Sequence, residues 1–262
     1  MSLVTLTNEG ALAVITVDNP PQNRINDRMG ADLLAAVEAI EAGEFRALLV
    51  RAKGPDFSFG GDIVNWPQMT IRQLRATFDS YMTVFNRFER LPLPVIAAVQ
   101  GLCFGGGLEL AIRADMIVAA ESAKFGHPEQ SIAIVTVLGG IYRIAERAGR
   151  SFASEWALTS EQVSATTMMQ RGVVNRVVPD DQLEQRAREL AMLAAGGPTR
   201  AYAAHKALLR IWAEAGVAAA DSAMFDIAMP LFETEDVRRG MPSAIEALKA
   251  GRPRPAMDFK GR

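Results

Sequence analysis

Two glutamates sit where they could do chemistry. Glu109 follows three consecutive glycines in VIAAVQGLCFGGGLELAIRAD, and Glu129 follows a Gly-His-Pro step in AKFGHPEQSI. Paired carboxylates suit general acid–base catalysis, one accepting a proton while the other supplies one. Glycines between a strand and a helix let the backbone adopt φ > 0 and come close to a ligand, and the free N–H groups at such a junction attract negative charge. A dinucleotide turn fails on pattern, because reading from Gly105 puts Leu110 where a third small residue belongs. A resident phosphate would be repelled by Glu109. A transient oxyanion fits better, since a neutral substrate gains its charge only during the reaction. Taken singly, tight strand–helix packing would explain the glycines, the start of a helix would explain Glu109, and a solvated loop would explain Glu129.

A second glycine turn, Gly60-Gly61 in ALLVRAKGPDFSFGGDI, also follows an apolar strand. In a parallel α/β arrangement, turns after strands gather at one sheet edge, where ligands bind. Two such turns can each offer one N–H to a single oxygen, as in an oxyanion hole. A strand DMIVAA leading back to that edge could bring Glu129 to the same pocket as Glu109. Asp62 is expected to cap the next helix.

The elements that must position these residues follow from the pattern. LVTLTNEGALAVITVD reads as a hairpin about Asn8–Gly10. RMGADLLAAVEAIEAG has helical spacing, RALLVRAKG is a short buried strand, residues 70–90 are helical, and PVIAAVQG is a strand after the breaker LPLP. LELAIRA is a helix and DMIVAAES a strand. This alternation to about residue 145 argues a layered α/β unit with largely parallel strands. Residues 150–179 mix short helices with one strand. From DDQLEQ to Leu248 the chain is nearly all helical, broken at Gly196-Gly197-Pro198 and Met229-Pro230, and the tail GRPRPAMDFKGR is irregular. The expected division is a core over 1–195 and a helical C-terminal region over 196–262.

Composition narrows the chemistry. The 262 residues can bury a substantial core, and 49% hydrophobic with 22% charged residues is ordinary for a globular protein. A net charge of −2 spread along the chain leaves no nucleic-acid footprint. One cysteine, Cys103, and two histidines, His127 and His205, argue against disulfides and transition metals. No secretory leader is evident. Without an uninterrupted apolar run of about 18 residues, no membrane span is expected. The expectation is a cytoplasmic protein.

Four segments, in order, resemble the crotonase (enoyl-CoA hydratase/isomerase) superfamily: FSFGGDI, PVIAAVQGLCFGGGLELAIRADMIVAAESAKFGHPE, LTSEQVSATTMMQRGVVNRVVP and FETEDVRRGMPSAIEAL. The resemblance implies an α/β fold, a crotonase-type spiral of ββα turns with a helical C-terminal trimerisation region. It implies oxyanion-hole N–H groups at Phe59 and Gly106, catalytic glutamates at Glu109 and Glu129, and substrate contacts at Gly60, Gly61, Asp62 and Gly105. The implied reaction is hydration of a 2-enoyl-CoA, with no metal and no cofactor beyond the coenzyme A of the substrate. Isomerisation, acyl-CoA hydrolysis, C–C cleavage or acyl-CoA binding without turnover remain open. The implied assembly is a homotrimer or a dimer of trimers, with Met224, Phe225, Ile227, Met229, Leu231 and Phe232 as candidate contact residues. Three departures stand out. Phe59 replaces a small residue and is expected to narrow the acyl pocket. QSIAIVTVLGGIYRI keeps only Gly139-Gly140 of a glycine- and proline-rich stretch. His127 replaces the common Gln or Leu, with a packed loop histidine expected.

Overall fold

The polar turn at Asn8–Gly10 joins two β-rich runs, and in the computed structural model, which describes residues 2–262, they form a hairpin. Strand β1 (Val4–Glu9) pairs antiparallel with β2 (Leu12–Val17), every residue of which is buried. Helix α1 (Asp27–Ala42) starts at Asn26, whose side chain accepts the Met29 N–H. It buries Met29, Leu33, Val37 and Ile40, the 3.6-residue stripe that its sequence predicts. Strand β3 (Ala47–Ala52) follows. Helix α2 (Ile71–Glu89) opens on a capping box of Thr70 and Gln73 and turns Tyr81, Val84, Phe85 and Phe88 inward.

Next come β4 (Val95–Val99), a three-residue strand β5 (Leu102–Phe104), the short helix α3 (Gly106–Ala111), β6 (Met116–Ala120) and β7 (Lys124–Gly126). Helices α4 (Gly140–Ala148) and α5 (Arg150–Thr159), strand β8 (Val163–Ser164), helix α6 (Ala165–Gln170) and strand β9 (Arg176–Val178) complete the mixed region. Six strands make the main sheet, in the order β1-β2-β3-β4-β6-β9, parallel from β2 onward. A smaller sheet, β5-β7-β8, lies beside it, and parallel bridges Ser58–Cys103 and Ile25–Gly61 tie the glycine turns to it. Successive turns of chain therefore run from a main-sheet strand to a short second strand and then to a helix. This is the expected ββα winding. Strands β5, β7 and β8 have two or three residues each, too few to show a period of two in the sequence.

Helix α7 (Leu183–Ala195) covers one face of the main sheet through Leu183, Ala187, Leu190, Ala191 and Ala194. The chain then breaks at Gly196–Pro198, and α8 (Thr199–Ala228) runs on with no buried residue, bent at Gly216. A 3-10 turn over Met229–Glu233 leads to α9 (Glu235–Lys249), capped by Thr234. The tail has no regular structure, yet buried Asp236 accepts the N–H groups of Lys260 and Gly261 and folds it back. By length and composition the run Thr199–Glu233 is apolar enough to cross a bilayer, although no 18 of its residues are uninterruptedly apolar. Charged residues recur along it, and Lys206 pairs with Asp115 of the core at 2.7 Å.

Candidate active site

The two glycine turns meet. The Ser58 N–H donates to the Leu102 carbonyl at 3.1 Å and Phe104 returns a bond to the Ser58 carbonyl at 2.9 Å, so the strand leading to each turn is paired with the other. Gly60 has φ +94°, and a Cβ there would fall 2.9 Å from the Phe104 carbonyl oxygen and 3.2 Å from the Gly106 nitrogen. Only glycine fits both restrictions. Gly107 lets α3 lie directly on the first turn, its missing Cβ coinciding with space held by Ser58 at 2.6 Å.

The backbone corrects one expected donor. The Phe59 N–H is committed to the Gln22 carbonyl at 2.9 Å, and the Gly60 N–H to Ser58 Oγ at 3.2 Å. Gly61 bridges Ile25 through its neighbours, with Ile25 N–H to the Gly60 carbonyl and Asp62 N–H to the Ile25 carbonyl. Its own N–H and that of Gly106 have no acceptor among the described residues. A Cβ built on Gly106 would lie 3.7 Å from the Gly61 nitrogen. The pair of free donors is therefore Gly61 and Gly106. The positive φ of Gly60 sets which amide of the turn faces inward, and that angle is not written in the residue types on either side.

Both glutamates reach this place. Glu109, 1% exposed, accepts the N–H groups of Leu138 (2.8 Å) and Gly140 (2.9 Å) on Oε1. Burial, and then the charge of Glu129, pushes its pKa up to about 7 against those two donors and Arg113. Glu129 stands in a 3-10 turn over Pro128–Ile132, with Oε1 3.0 Å from where a Gly105 Cβ would be. It is far from a solvated loop residue: burial raises its carboxyl pKa, and Oε2 is buried with no hydrogen-bond partner. His127 is buried beside it, Nδ1 being 3.8 Å from Glu129 Oε2, and burial lowers the imidazole pKa to about 4. Burial therefore pushes both carboxyls toward the protonated form, and the charge of Glu129 adds to the rise at Glu109.

A cavity of about 250 Å³ joins these groups, lined by Phe59, Gly60, Gly61, Gly105, Gly106, Glu109 and Glu129. Its far walls are mostly apolar, with Ile25, Ile63, Trp66, Phe78, Tyr81, Pro128, Ile132, Ile134, Val137 and Leu138, and Arg24 and Ser131 also line it. Trp66 and Phe78 stack edge to face at 5.1 Å, and Tyr81 gives its O–H to Asp27. Phe59 is among the lining residues, and its ring is held between Phe104 (5.6 Å, edge to face) and the Arg24 guanidinium (4.7 Å). Asp62 is not among the lining residues, and it caps no helix. It accepts the Val64 N–H at 3.3 Å, while Asn65 and Thr70 occupy the two cap positions that follow. Among the described residues no group of three or more histidine, cysteine or carboxylate side chains is placed to hold a metal ion.

Behind the cavity lies a charged cluster that the sequence reading missed. Arg113, 2% exposed, donates to Asn86 (2.8 Å), Glu89 (2.8 Å) and the Leu138 carbonyl (2.7 Å). Glu89 in turn takes two bonds from Arg143, at 2.7 and 2.6 Å. Burial works against the Glu89 charge, but Arg143 and Arg113 outweigh it and hold its carboxyl below the usual range. Arg113 lies just past the end of α3, and its partners come from α2 and α4, so local spacing carried no signal for the cluster.

A family model described as enoyl-CoA hydratase/isomerase matches residues 7–251. The chain is similar to the short-chain-enoyl-CoA hydratase of Clostridium acetobutylicum, at 29% identity over 94% of this chain and 95% of that one. It is also similar to the carnitinyl-CoA dehydratase of Salmonella typhimurium, at 34% identity over 80% of each chain. The solved structure of an enoyl-CoA hydratase from Bacillus anthracis superimposes with a TM-score of 0.89 at 26% identity, covering 99% of this chain and 100% of that one.

Proposed function

Because the chain belongs to the enoyl-CoA hydratase/isomerase family, we propose that it is a hydro-lyase adding water reversibly across the 2,3 double bond of an enoyl-CoA thioester. One observation carries this reading: two buried carboxyls, Glu109 and Glu129, share a cavity with two unpartnered N–H groups, those of Gly61 and Gly106. The thioester oxygen sits between the two amides, which draws electron density from the double bond and stabilises the enolate. A water held between the carboxyls gives up a proton to one of them, present as carboxylate, as its oxygen bonds to C3, and the other, present as the acid, delivers its proton to C2. In the dehydration direction the same two groups exchange roles. The enolate charge rests on amide donors, so the chemistry requires no redox cofactor, and coenzyme A enters as part of the substrate.

The mostly apolar walls favour a hydrocarbon acyl chain. A panel of 2-enoyl-, 3-enoyl- and saturated acyl-CoA esters, followed by loss of enoyl absorbance and by free thiol, tests the reading. Loss of absorbance without thiol on a 2-enoyl ester is the expected result. Thiol release would make the protein a hydrolase, conversion of 3-enoyl esters alone an isomerase, and silence across the panel a binding protein.

The assembly belongs to the same reading. Met224, Phe225, Met229 and Phe232 are exposed, and Ile227 and Leu231 half-buried, so these side chains do not complete the core of their own chain. A contiguous apolar face of this kind marks a protein–protein contact. A homotrimer, or a dimer of trimers, covers it, and a monomer by light scattering would refute that.

A further inference from the structure

Three buried polar atoms at the rim of the site lack hydrogen-bond partners: Nδ1 and Nε2 of His127 and Oε2 of Glu129. They are neighbours, with Nδ1 3.8 Å from Oε2, beyond the roughly 3.2 Å limit of an N–H···O bond, so a small turn of either side chain is needed to make it. A buried donor and a buried acceptor left unmade side by side call for an explanation in function. The ring is held on its other side by Gly140, where a Cβ would overlap Cε1 at 2.4 Å and approach Nε2 at 3.2 Å. The same residue gives its N–H to Glu109. One turn, Gly139-Gly140, therefore seats both the ring behind Glu129 and the carboxylate of Glu109.

We propose that His127 is a positioning residue for Glu129, a neutral imidazole that carries its proton on Nδ1 and donates it to Glu129 Oε2 in the working site. The proposal rests on the reading of Glu129 as a proton-transfer group. The bond stabilises the ionised form of Glu129 and leaves Oε1, on the Gly105 side, free for the substrate water. It also separates the two carboxyls by their supports, since Glu109 is held by backbone amides and Glu129 by a side chain. The imidazole does not titrate in the working range, because burial keeps it neutral down to about pH 4. The charged groups facing it are Glu129 on its own turn and Glu109 of α3, with Arg113 reaching Glu109 through Leu138.

The chain has only two histidines, so ring nitrogen NMR resolves His127 from the exposed His205 in the intact protein. The expected spectrum is a neutral Nδ1–H tautomer whose shifts move in Glu129→Gln. A neutral Nε2–H tautomer, or a ring unaffected by Glu129→Gln, overturns the proposal even if the protein turns out to hydrate nothing, so the two failures are distinguishable. Kinetics give the second readout. His127→Leu should lower kcat by about tenfold or more, part of the ~10²–10⁴-fold that a general base supplies, with KM little changed. Losing a donor to an anion raises that anion's pKa, so the acid limb of the kcat profile should move to higher pH. His127→Gln, which keeps an N–H donor, should recover most of both. Equal rates and equal profiles for the Leu and Gln variants would overturn the proposal.

Discussion

Leu138 divides two clusters of buried charge that obey opposite rules. Its N–H serves Glu109 on one side, and its carbonyl accepts from Arg113 on the other. In the Arg113–Glu89–Arg143 cluster, opposite charges meet at 2.6–2.8 Å. In the Glu109–Glu129 cluster, like charges share a cavity, both carboxyls are pushed toward the protonated form, and Glu129 Oε2 has no partner. Pairing makes the first cluster a structural brace. The second is costly to the fold and poised to move protons, which is where perturbed carboxyls become useful.

The sharpest break of that comparison is to neutralise each side. Glu109→Gln and Glu129→Gln should each lower kcat by at least about 10²-fold, read in steady-state turnover with the fold checked by circular dichroism. Stability should move the other way. The folded pKa of Glu109, about 7, lies above its ordinary 4.5, so the folded state holds that proton more tightly and loses stability as pH rises through this window. Glu109→Gln removes that loss and should stabilise the protein at neutral pH by on the order of 1–3 kcal/mol, with a smaller gain below pH 4.5. Arg113→Met should do the reverse, destabilising by on the order of 1–3 kcal/mol because it leaves the buried Leu138 carbonyl without its donor, while Glu89 keeps its two bonds from Arg143. Its kcat should fall less than in the glutamate variants. Denaturant melts at two pH values check both signs.

The turn that joins the clusters to the free amides can be sharpened next. Gly60→Ala forces a Cβ into left-handed backbone against the Phe104 carbonyl, which should cost roughly 1–3 kcal/mol and lower turnover by displacing the Gly61 N–H. The smallest effect is expected at Phe59, which is half-buried with its ring on Phe104 and Arg24. Phe59→Ala should lose about 1 kcal/mol of ring packing, keep activity on short enoyl esters, and raise kcat/KM for bulkier ones. An unchanged chain-length profile would mean that the ring is packing only.

How much of this was readable in the residues depends on whether the controlling interaction is local. The hairpin, α1, α2 and the parallel strands follow from apolar spacing and turn residues, and the structure has them. Glu109 was conspicuous as a lone carboxylate beside glycines in an apolar stretch, whereas Glu129, in the polar AKFGHPEQSI, read singly as a solvated loop residue and was drawn to the site only by the second glycine turn and the family resemblance. The free amide at Gly61 was not, since the direction of an N–H depends on the φ of Gly60 and on Gln22, far away in sequence. His127 looked like packing until its neighbours were known: its interest lies in what it fails to bond. The Arg113 cluster draws Asn86 and Glu89 from α2 and Arg143 from α4, a meeting that no local pattern announces.

We propose that Glu109 and Glu129 add the oxygen of water to C3 of an enoyl-CoA. This is tested most directly by incubating the protein with a short 2-enoyl-CoA in ¹⁸O-labelled water and weighing the products. The expected product is a 3-hydroxyacyl-CoA carrying one labelled oxygen, formed by the native protein and suppressed in Glu109→Gln and Glu129→Gln. Label appearing instead in a released carboxylic acid, or an isomerised ester carrying none, would contradict it.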